Sequence, residues 1–305
     1  MIKNRREYLF FYDVTDANPN GDPMDENRPR IDEEVGICFV TDTRLKRVIR
    51  DELADMGEEI FIREERKEDG KLKTKEELLD LYNNGDYNEI IRRCIDIRLF
   101  GGTFAVGDNA KSFTGPVQFK FGRSLHKVSV KLVKGTTVMP SKEGKGQGTM
   151  TDFYIIPYGL FCFYGIANEK AAKDTELKDD DLKKMTEAMW KGIKESTDVI
   201  SRSKFGHMPR LLIEIIYKEN TKTHMGELNR LVSIKKPETL DELAIRDIEE
   251  IELDFSKLKK VVEEYKDKIE KIYYAVDKRL KFAEGSEVEN IFEGIPLEKF
   301  PWLAE

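Results

Sequence analysis

Residues 7–14, EYLFFYDV, crowd aromatic and β-branched side chains together and predict a strand. A loop of Pro, Asn, Gly and Asp follows, DANPNGDPMDENRPRIDEE, after which Thr41 or Asp42 supplies a helix N-cap. That helix runs to about Leu53. Leu45, Val48, Ile49 and Leu53 recur on one face, and a step of roughly 100° per residue puts Arg44, Lys46, Arg47 and Arg50 across the other. Residues 54–97 are charged and helix-prone and read as an insertion. In 126–133, HKVSVKLV, Val128, Val130 and Leu132 alternate as in a strand. Residues 153–166, FYIIPYGLFCFYGI, predict a second strand or a bent pair broken at Pro157 and Gly159. Asp179 or Asp180 caps a helix over 181–200 with Leu182, Met185, Met189 and Ile193 inward, and 211–217, LLIEIIY, forms another strand. Positions 255–282 predict one long amphipathic helix, with Leu258, Val261, Val262, Tyr265, Ile269, Ile272, Tyr273, Val276 and Leu280 as its apolar residues and Gly285 just past its end.

Without the insertions the order is strand, helix, strand, strand, helix, strand. This is the βαββαβ order of a ferredoxin-like α+β fold, shared by the RNA-recognition motif, whose open sheet stacks bases on aromatic side chains. The RNP1 pattern of that motif is missing, and FKFGRSL at 119–125 echoes it only vaguely. Topology alone leaves the function open.

Of the 305 residues, 39% are apolar and 36% charged, which suits a folded chain with a sizeable core. Cys38, Cys94 and Cys162 form no CxxC pair, which argues against a disulfide scaffold, a zinc ribbon or a thioredoxin-type site. The apolar run from Tyr158 to Ala167 is too short to span a bilayer, and the N-terminus turns acidic before a signal-peptide pattern develops. A cytoplasmic protein with no membrane partner is expected. The net charge of −7 hides a split: Arg98 to Met150 carries nine Lys or Arg against two acids, and Glu238 to the end carries nineteen acids against eleven bases. A basic binding face with an acidic solvated face, or chance clustering on a charged surface, accounts for that split.

No Walker A run, G-x-G-x-x-G, HExxH or G-x-S-x-G occurs, and His126, His207 and His224 are scattered as structural or surface residues would be. No cofactor or metal is expected. Asp13, Asp16, Asp22, Asp25 and Asp32 could hold Mg²⁺, although turn-forming aspartates in a Pro/Gly loop explain them as well. What remains is a set of residues suited to a sugar–phosphate chain. Asn20-Gly21 suits a tight turn with positive φ, whose amides can hold a phosphate, and Arg28 and Arg30 follow on the same loop. The four cations of the first helix are either solvated or gathered for an anion. RLFGG at 98–102 and KSFTGPVQFKFGRS at 111–124 interleave glycine, aromatics and cations, as a nucleic-acid surface does. Phe100, Phe104, Phe113, Phe119 and Phe121 are nevertheless each read first as core. Residues 134–152, KGTTVMPSKEGKGQGTMTD, read as a long hairpin reaching from the body or as a surface loop. SRSKFGHMPR at 201–210 adds Arg202, Lys204 and Arg210.

DANPNGDPMDENRPRID, G-x-x-x-VTDTRLKRVIRD, DIRLFGG, GPVQFKFGRS and TDFYIIPYGLF occur in that order. Together they resemble the RAMP-superfamily backbone subunit of CRISPR Cascade complexes, most like its subtype I-B form and related to subtype I-C. The resemblance covers nearly the whole chain. It implies a ferredoxin-like palm from 1–53 with 98–133 and 153–237, helical fingers at 54–97, a thumb hairpin at 134–152, and a C-terminal helical segment at 238–305 packed on the palm. It further implies copies stacked along one CRISPR RNA, other Cascade subunits as partners, and bases presented to target DNA in antiviral defence. A guide of changing sequence must be held by sugar and phosphate. RNA contact is carried over to Asn18, Asn20, Arg28, Arg30, Arg44, Lys46, Arg47, Arg98, Gly101, Gln118, Arg123, Ser124 and Arg210, with thumb contacts at Met139, Lys142, Lys145 and Met150. The 54–97 insertion could also reach a neighbour. The resemblance implies no catalysis. The alternatives are a metal-dependent ribonuclease of the type III backbone kind, using Asp22 or Asp25, and a monomeric RNA-binding protein of the RNA-recognition type.

Overall fold

The structure is a computed structural model and describes residues 1–82, 85–106, 109–136, 150–200 and 204–303. Its frame consists of β1 (Arg6–Ala17), α1 (Asp42–Asp55), β2 (Gly122–Lys127), β3 (Met150–Ala167), α2 (Asp179–Ile200), β4 (His207–Tyr217) and β5 (Ile269–Val276). The fold is α+β, built on one large mixed sheet. Within it the strands run β5-β4-β1-β3-β2, all antiparallel to their neighbours. Ile37–Val40 and Ile31–Asp32 continue past β2, and Leu297–Lys299 adds a parallel edge beside β5.

The near-continuous apolar character of β1 reflects burial on both faces, which removes the polar half of the usual alternation. Tyr8, Phe10, Tyr12 and Val14 face α1 and α2, where Leu45, Val48, Ile49 and Leu53 meet Leu182, Met185, Met189 and Ile193, as the helical spacing predicts. Gly192 lets the two helices close up, since a Cβ there would lie 3.0 Å from Val48 and from Glu52. Leu9 and Phe11 point the other way, into a second core made with Leu211, Ile213 and the C-terminal segment, including Ile248, Leu253, Phe255, Leu258 and Phe292. Phe11 meets Phe255 edge-on, with ring centroids 5.9 Å apart. The open aromatic sheet face of an RNA-recognition motif is therefore not available: residues beyond 228 cover it.

Three expected elements differ. The helix expected over 255–282 stops at Tyr265, and β5 follows. The apolar spacing of 255–282 fits a helix, but IYYAV is β-prone and gains a full ladder against β4, from Leu211 opposite Val276 to Tyr217 opposite Ile269. The strand expected over 126–133 divides into β2 and Lys131–Thr136. Pro157 and Gly159 do not break β3. Pro157 lies where its missing N–H goes unclaimed: Thr15 and Ala17 pair with Tyr158 and Ile156, skipping Asp16, and on the other side pairing passes from Ile155 to Phe161. Beyond Ile156, β3 leaves β1, and Met150–Ile155 pairs only with Lys131–Thr136 among the described residues, as a two-stranded ribbon. The thumb residues 137–149 lie outside the described residues.

The insertion carries short helices at Lys75–Leu79, Tyr87–Arg93 and Ile95–Phe100. Its separate core of Phe61, Leu78, Leu79, Tyr82, Ile90 and Ile97 also takes in Phe104, beyond the 54–97 boundary. Cys38, Cys94 and Cys162 are buried free thiols, and burial pushes the first two up to about 12. If the C-terminal segment holds the second sheet face, Phe255→Ala should cost about 3–5 kcal/mol in urea unfolding, the range for deleting a buried ring. A loss below about 1 kcal/mol would show that this face is not sealed there.

Candidate nucleic-acid interface

The Pro/Asn/Gly loop is tied down at both ends. Asn20 Oδ1 accepts from the Thr41 backbone N–H at 2.9 Å and from its hydroxyl at 3.0 Å, and Thr41 Oγ1 caps α1 by accepting from the Arg44 N–H at 3.2 Å. Asn18 Nδ2 donates to the Asn27 carbonyl at 2.6 Å, and the Asn18 carbonyl accepts from Lys204 Nζ at 2.7 Å. The tight turn is not at Asn20-Gly21, as expected. Gly21 pairs with Pro29 in a short ladder, and the left-handed residues are Glu26 and Asn27. Gly21 is needed because a Cβ would stand 2.7 Å from the Asn27 carbonyl oxygen.

A cleft of about 390 Å³ opens between this loop, α1 and the ribbon, and Arg44, Lys204 and Tyr154 reach it. Arg28 lies over the Tyr154 ring, 5.2 Å from its centroid, so the loop rests on the base of the ribbon. A second cleft of about 350 Å³ borders the same loop and includes Arg28, Arg30 and Phe39. Along the sheet edge Phe39 and Phe121 stack, centroids 6.0 Å apart, and Arg123 covers Phe39 at 5.8 Å. Phe121 is 46% exposed, so it is not the core residue expected, whereas Phe100, Phe104 and Phe119 are buried.

Electrostatics single out the first cleft. Burial and Arg44 push Lys204 down to about 7. Burial lowers Arg44, and burial together with Arg44 and Lys204 drives His207 well below the usual histidine range. His207 stacks on Tyr12 at 5.7 Å. Arg44 Nη2 and His207 Nε2 are buried without a hydrogen-bond partner. Groups left unsatisfied like this are expensive in a folded core, so an anion entering the cleft would gain what the protein forgoes.

The remaining candidates divide. Gln118 is exposed and donates to the Gly115 carbonyl at 2.8 Å. Arg123 is exposed, with Asp32 3.6 Å away. The picture of four free cations on α1 is corrected: Arg47 alone of them is exposed, and it binds Asp51 at 2.7 Å, Lys46 pairs with Asp42 at 3.0 Å, and Arg50 is held by the buried Asp96 at 3.0 Å. Arg98, Ser124 and Arg210 are corrected as well, because internal partners consume them. Arg98 grips Asp181 through two bonds of 2.8 and 3.0 Å and donates to the Ile91 and Arg92 carbonyls. Ser124 Oγ accepts from the Cys38 N–H and donates to the His126 carbonyl. Arg210 is buried between Asp13 at 2.9 Å and Asp277 at 2.5 Å. Gly101 is buried with φ of 68°, and a Cβ would fall 2.1 Å from the Phe113 carbonyl oxygen, which gives it a structural role. Met139, Lys142 and Lys145 lie outside the described residues, and Met150 begins β3. Asp22 is bound to Arg30 at 2.9 Å, and Asp25 lies 3.9 Å from Arg28. Among the described residues no cluster of three His, Cys, Asp or Glu side chains is placed to hold a metal ion, and no helix among them is long and apolar enough to cross a membrane. Sequence reading counted Lys204 among the cations suited to a sugar–phosphate chain but did not carry RNA contact over to it, read His207 as a surface or structural residue, and gave Tyr154 no role.

Fold and cleft together define an α+β protein with an open polar cleft beside a ribbon, in which Arg44 and Lys204 lie deep and Glu26 and Asp152 also take part. Residues 4–256 match the family of CRISPR-associated protein Cas7. A curated relative from Haloferax volcanii, "CRISPR-associated protein Cas7", is 31% identical, the match covering 93% of this chain and 90% of the relative. Two solved chains share the fold. One, from a "CRISPR RNA-guided surveillance complex", gives a TM-score of 0.56 at 14% identity and covers 97% of this chain and 94% of the other. The second, from a "CRISPR RNA-guided surveillance complex, pre-nicking", gives 0.54 at 13% identity over 91% and 95%. The chain belongs to the Cas7 family.

Removing Arg98 leaves the Asp181 carboxylate buried and unpaired, so Arg98→Ala should lose about 3–5 kcal/mol in chemical denaturation. A cost below about 1 kcal/mol would free Arg98 for a binding role. Lys204 has the opposite sign. Its proton affinity is lowered in the folded state, so folding loses stability as pH falls from the ordinary lysine range toward 7 and loses no more below it. Lys204→Met should therefore be more stable at pH 7, by on the order of 1 kcal/mol read as a higher thermal midpoint, with the gain shrinking as pH rises from 7 toward the ordinary lysine range. A lowered midpoint at pH 7 would show that the ammonium is not under strain.

Proposed function

We propose that this protein is a non-catalytic CRISPR RNA-binding backbone subunit of a type I Cascade surveillance complex, as its order of motifs and its membership of the Cas7 family suggest. Several copies stack along one guide, together with the other subunits, each holding the sugar–phosphate backbone and leaving base edges free to pair with target DNA. The four central strands β4-β1-β3-β2 and the two helices on one face serve as a ferredoxin-like palm, and the ribbon of Lys131–Thr136 and Met150–Ile155 leads to the thumb. The subtype I-B assignment rests on the motif order alone.

The observation that carries the reading is the cleft itself. Its basic groups, Arg44 and Lys204, belong to the fold and do not vary with the guide, and two of its three asparagines, Asn18 and Asn20, are spent inside the protein. Such a surface recognises a polyanion and is indifferent to letters. The test is titration of unrelated single-stranded RNAs of equal length by fluorescence anisotropy over a range of salt. Affinities should agree within about twofold. The plot of log affinity against log salt should fall steeply, by roughly 0.7 per phosphate neutralised. Arg28→Ala with Arg44→Ala should weaken every RNA alike and flatten that slope. A salt-insensitive protein, or one preferring a base sequence more than about tenfold, would contradict the proposal.

A further inference from the structure

The ribbon of Lys131–Thr136 and Met150–Ile155 leaves the body of the sheet where β3 parts from β1, and among the described residues its two strands pair only with each other. A two-stranded ribbon is marginal on its own. Here two side-chain contacts tie it to the Asn/Pro/Gly loop, and both are made by Tyr154, which stands opposite Leu132 in the ribbon. The Tyr154 hydroxyl donates to Glu26 Oε2 at 3.0 Å, and the Arg28 guanidinium lies 5.2 Å from the centre of the ring. One contact grips the ring at its polar tip and the other covers its face, so sliding and rotation of the ring are both opposed.

The loop is built to hold those two groups still. Gly21 and Asp22 pair with Pro29 and Arg28, the Asp22 carbonyl accepts from the Asp25 and Asn27 N–H groups, and Asn18 Nδ2 holds the Asn27 carbonyl. Glu26 and Asn27 both have left-handed backbone, with φ of 49° and 57°. Asparagine tolerates that region and glutamate does so poorly, so the turn by itself would favour glycine or asparagine at 26. Glutamate adds a carboxylate there, and among the described residues Tyr154 is the one hydrogen-bond partner of its side chain.

We propose that Glu26, Arg28 and Tyr154 form a latch that sets the direction in which the ribbon leaves the sheet, which makes them positioning residues for the thumb. The latch itself does not depend on a ligand; its use in stacking rests on the reading of the protein as a backbone subunit. A thumb whose root is already aimed loses less freedom when it meets the next copy, so the latch lowers the entropic cost of assembly.

The experiment is hydrogen exchange of the whole protein without RNA, followed by mass spectrometry. Tyr154→Phe keeps the ring and removes the hydroxyl, and should speed exchange in the ribbon by about fivefold while leaving β1 and β4 unchanged. Glu26→Ala lies outside the ribbon and should have the same effect. The double variant should exchange no faster than either single one, because both remove the same bond. Tyr154→Leu also takes the ring from under Arg28 and should speed exchange by about tenfold or more. Direction is read by pulsed electron resonance between spin labels at Lys134→Cys on the ribbon and Lys194→Cys on α2, the three native cysteines being buried. The distance distribution should be single and narrow in the labelled parent and broadened in Tyr154→Phe and Glu26→Ala. A parent that is already broad, a Glu26→Ala protein with unchanged exchange or distances, or single effects that add in the double variant would overturn the latch. No RNA is present in these measurements, so that failure leaves the functional reading to be decided by the anisotropy titration.

Discussion

Burial of both faces of β1 is the constraint on which the rest of the molecule depends. Its side chains alternate between the helix pair α1 and α2 and the C-terminal segment, and its two edges are taken by β3 and β4. No polar row is left to face water, and the strand can read as an almost unbroken apolar run. The same constraint explains the acidic last quarter of the chain. Its charges lie outward, and Ile248, Leu253, Phe255, Leu258 and Phe292 seal the second sheet face. The open clefts lie instead at the end of the sheet, where β1 passes into the Asn/Pro/Gly loop.

That end is held by hydrogen bonds more than by apolar contact. Asn20 orders Thr41, Thr41 caps α1, and the cap places Arg44 at the mouth of the cleft. Asn18 reaches across to the loop at Asn27 and to Lys204. The asparagines act as positioning residues, and the cations they position are left with unused capacity. By contrast, Arg98, Arg210 and Arg50 are cations spent on structure: each is the counter-charge of a buried carboxylate, Asp181, Asp13 and Asp96 in turn, which makes their removal costly to the fold. The distinction between the two kinds of cation is one of available partners, and it separates a ligand site from a structural bridge where charge alone does not.

The cleft's electrostatics carry a cost in stability. Lys204 is held near neutrality and His207 is kept from protonation because desolvation and neighbouring cations oppose charge there. A core chosen for stability alone would place an apolar residue at 204.

The helix 42–55, with its inward Leu45, Val48, Ile49 and Leu53, was legible because helical spacing is a local signal, and so were β1, β4 and α2. The run IYYAV at 272–276 was misread because its apolar residues also fit a helix, and only the partner strand at 211–217 decides between the two. The loop at 18–33 was legible as special from its Asn, Gly, Pro and Arg content, but the position of its turn was not. The backbone of Gly21 is governed by the approach of Asn27, a contact made only after folding. Arg98 and Arg210 looked like RNA ligands because sequence shows a charge and hides its partner. Local periodicity, turn chemistry and the order of motifs therefore determined the element order, the α+β class and the family. Which cations are free, which face of the sheet is covered, and that Lys204 and His207 join Arg44 were decided by tertiary structure alone, because pairing and desolvation depend on groups that lie far apart in the chain.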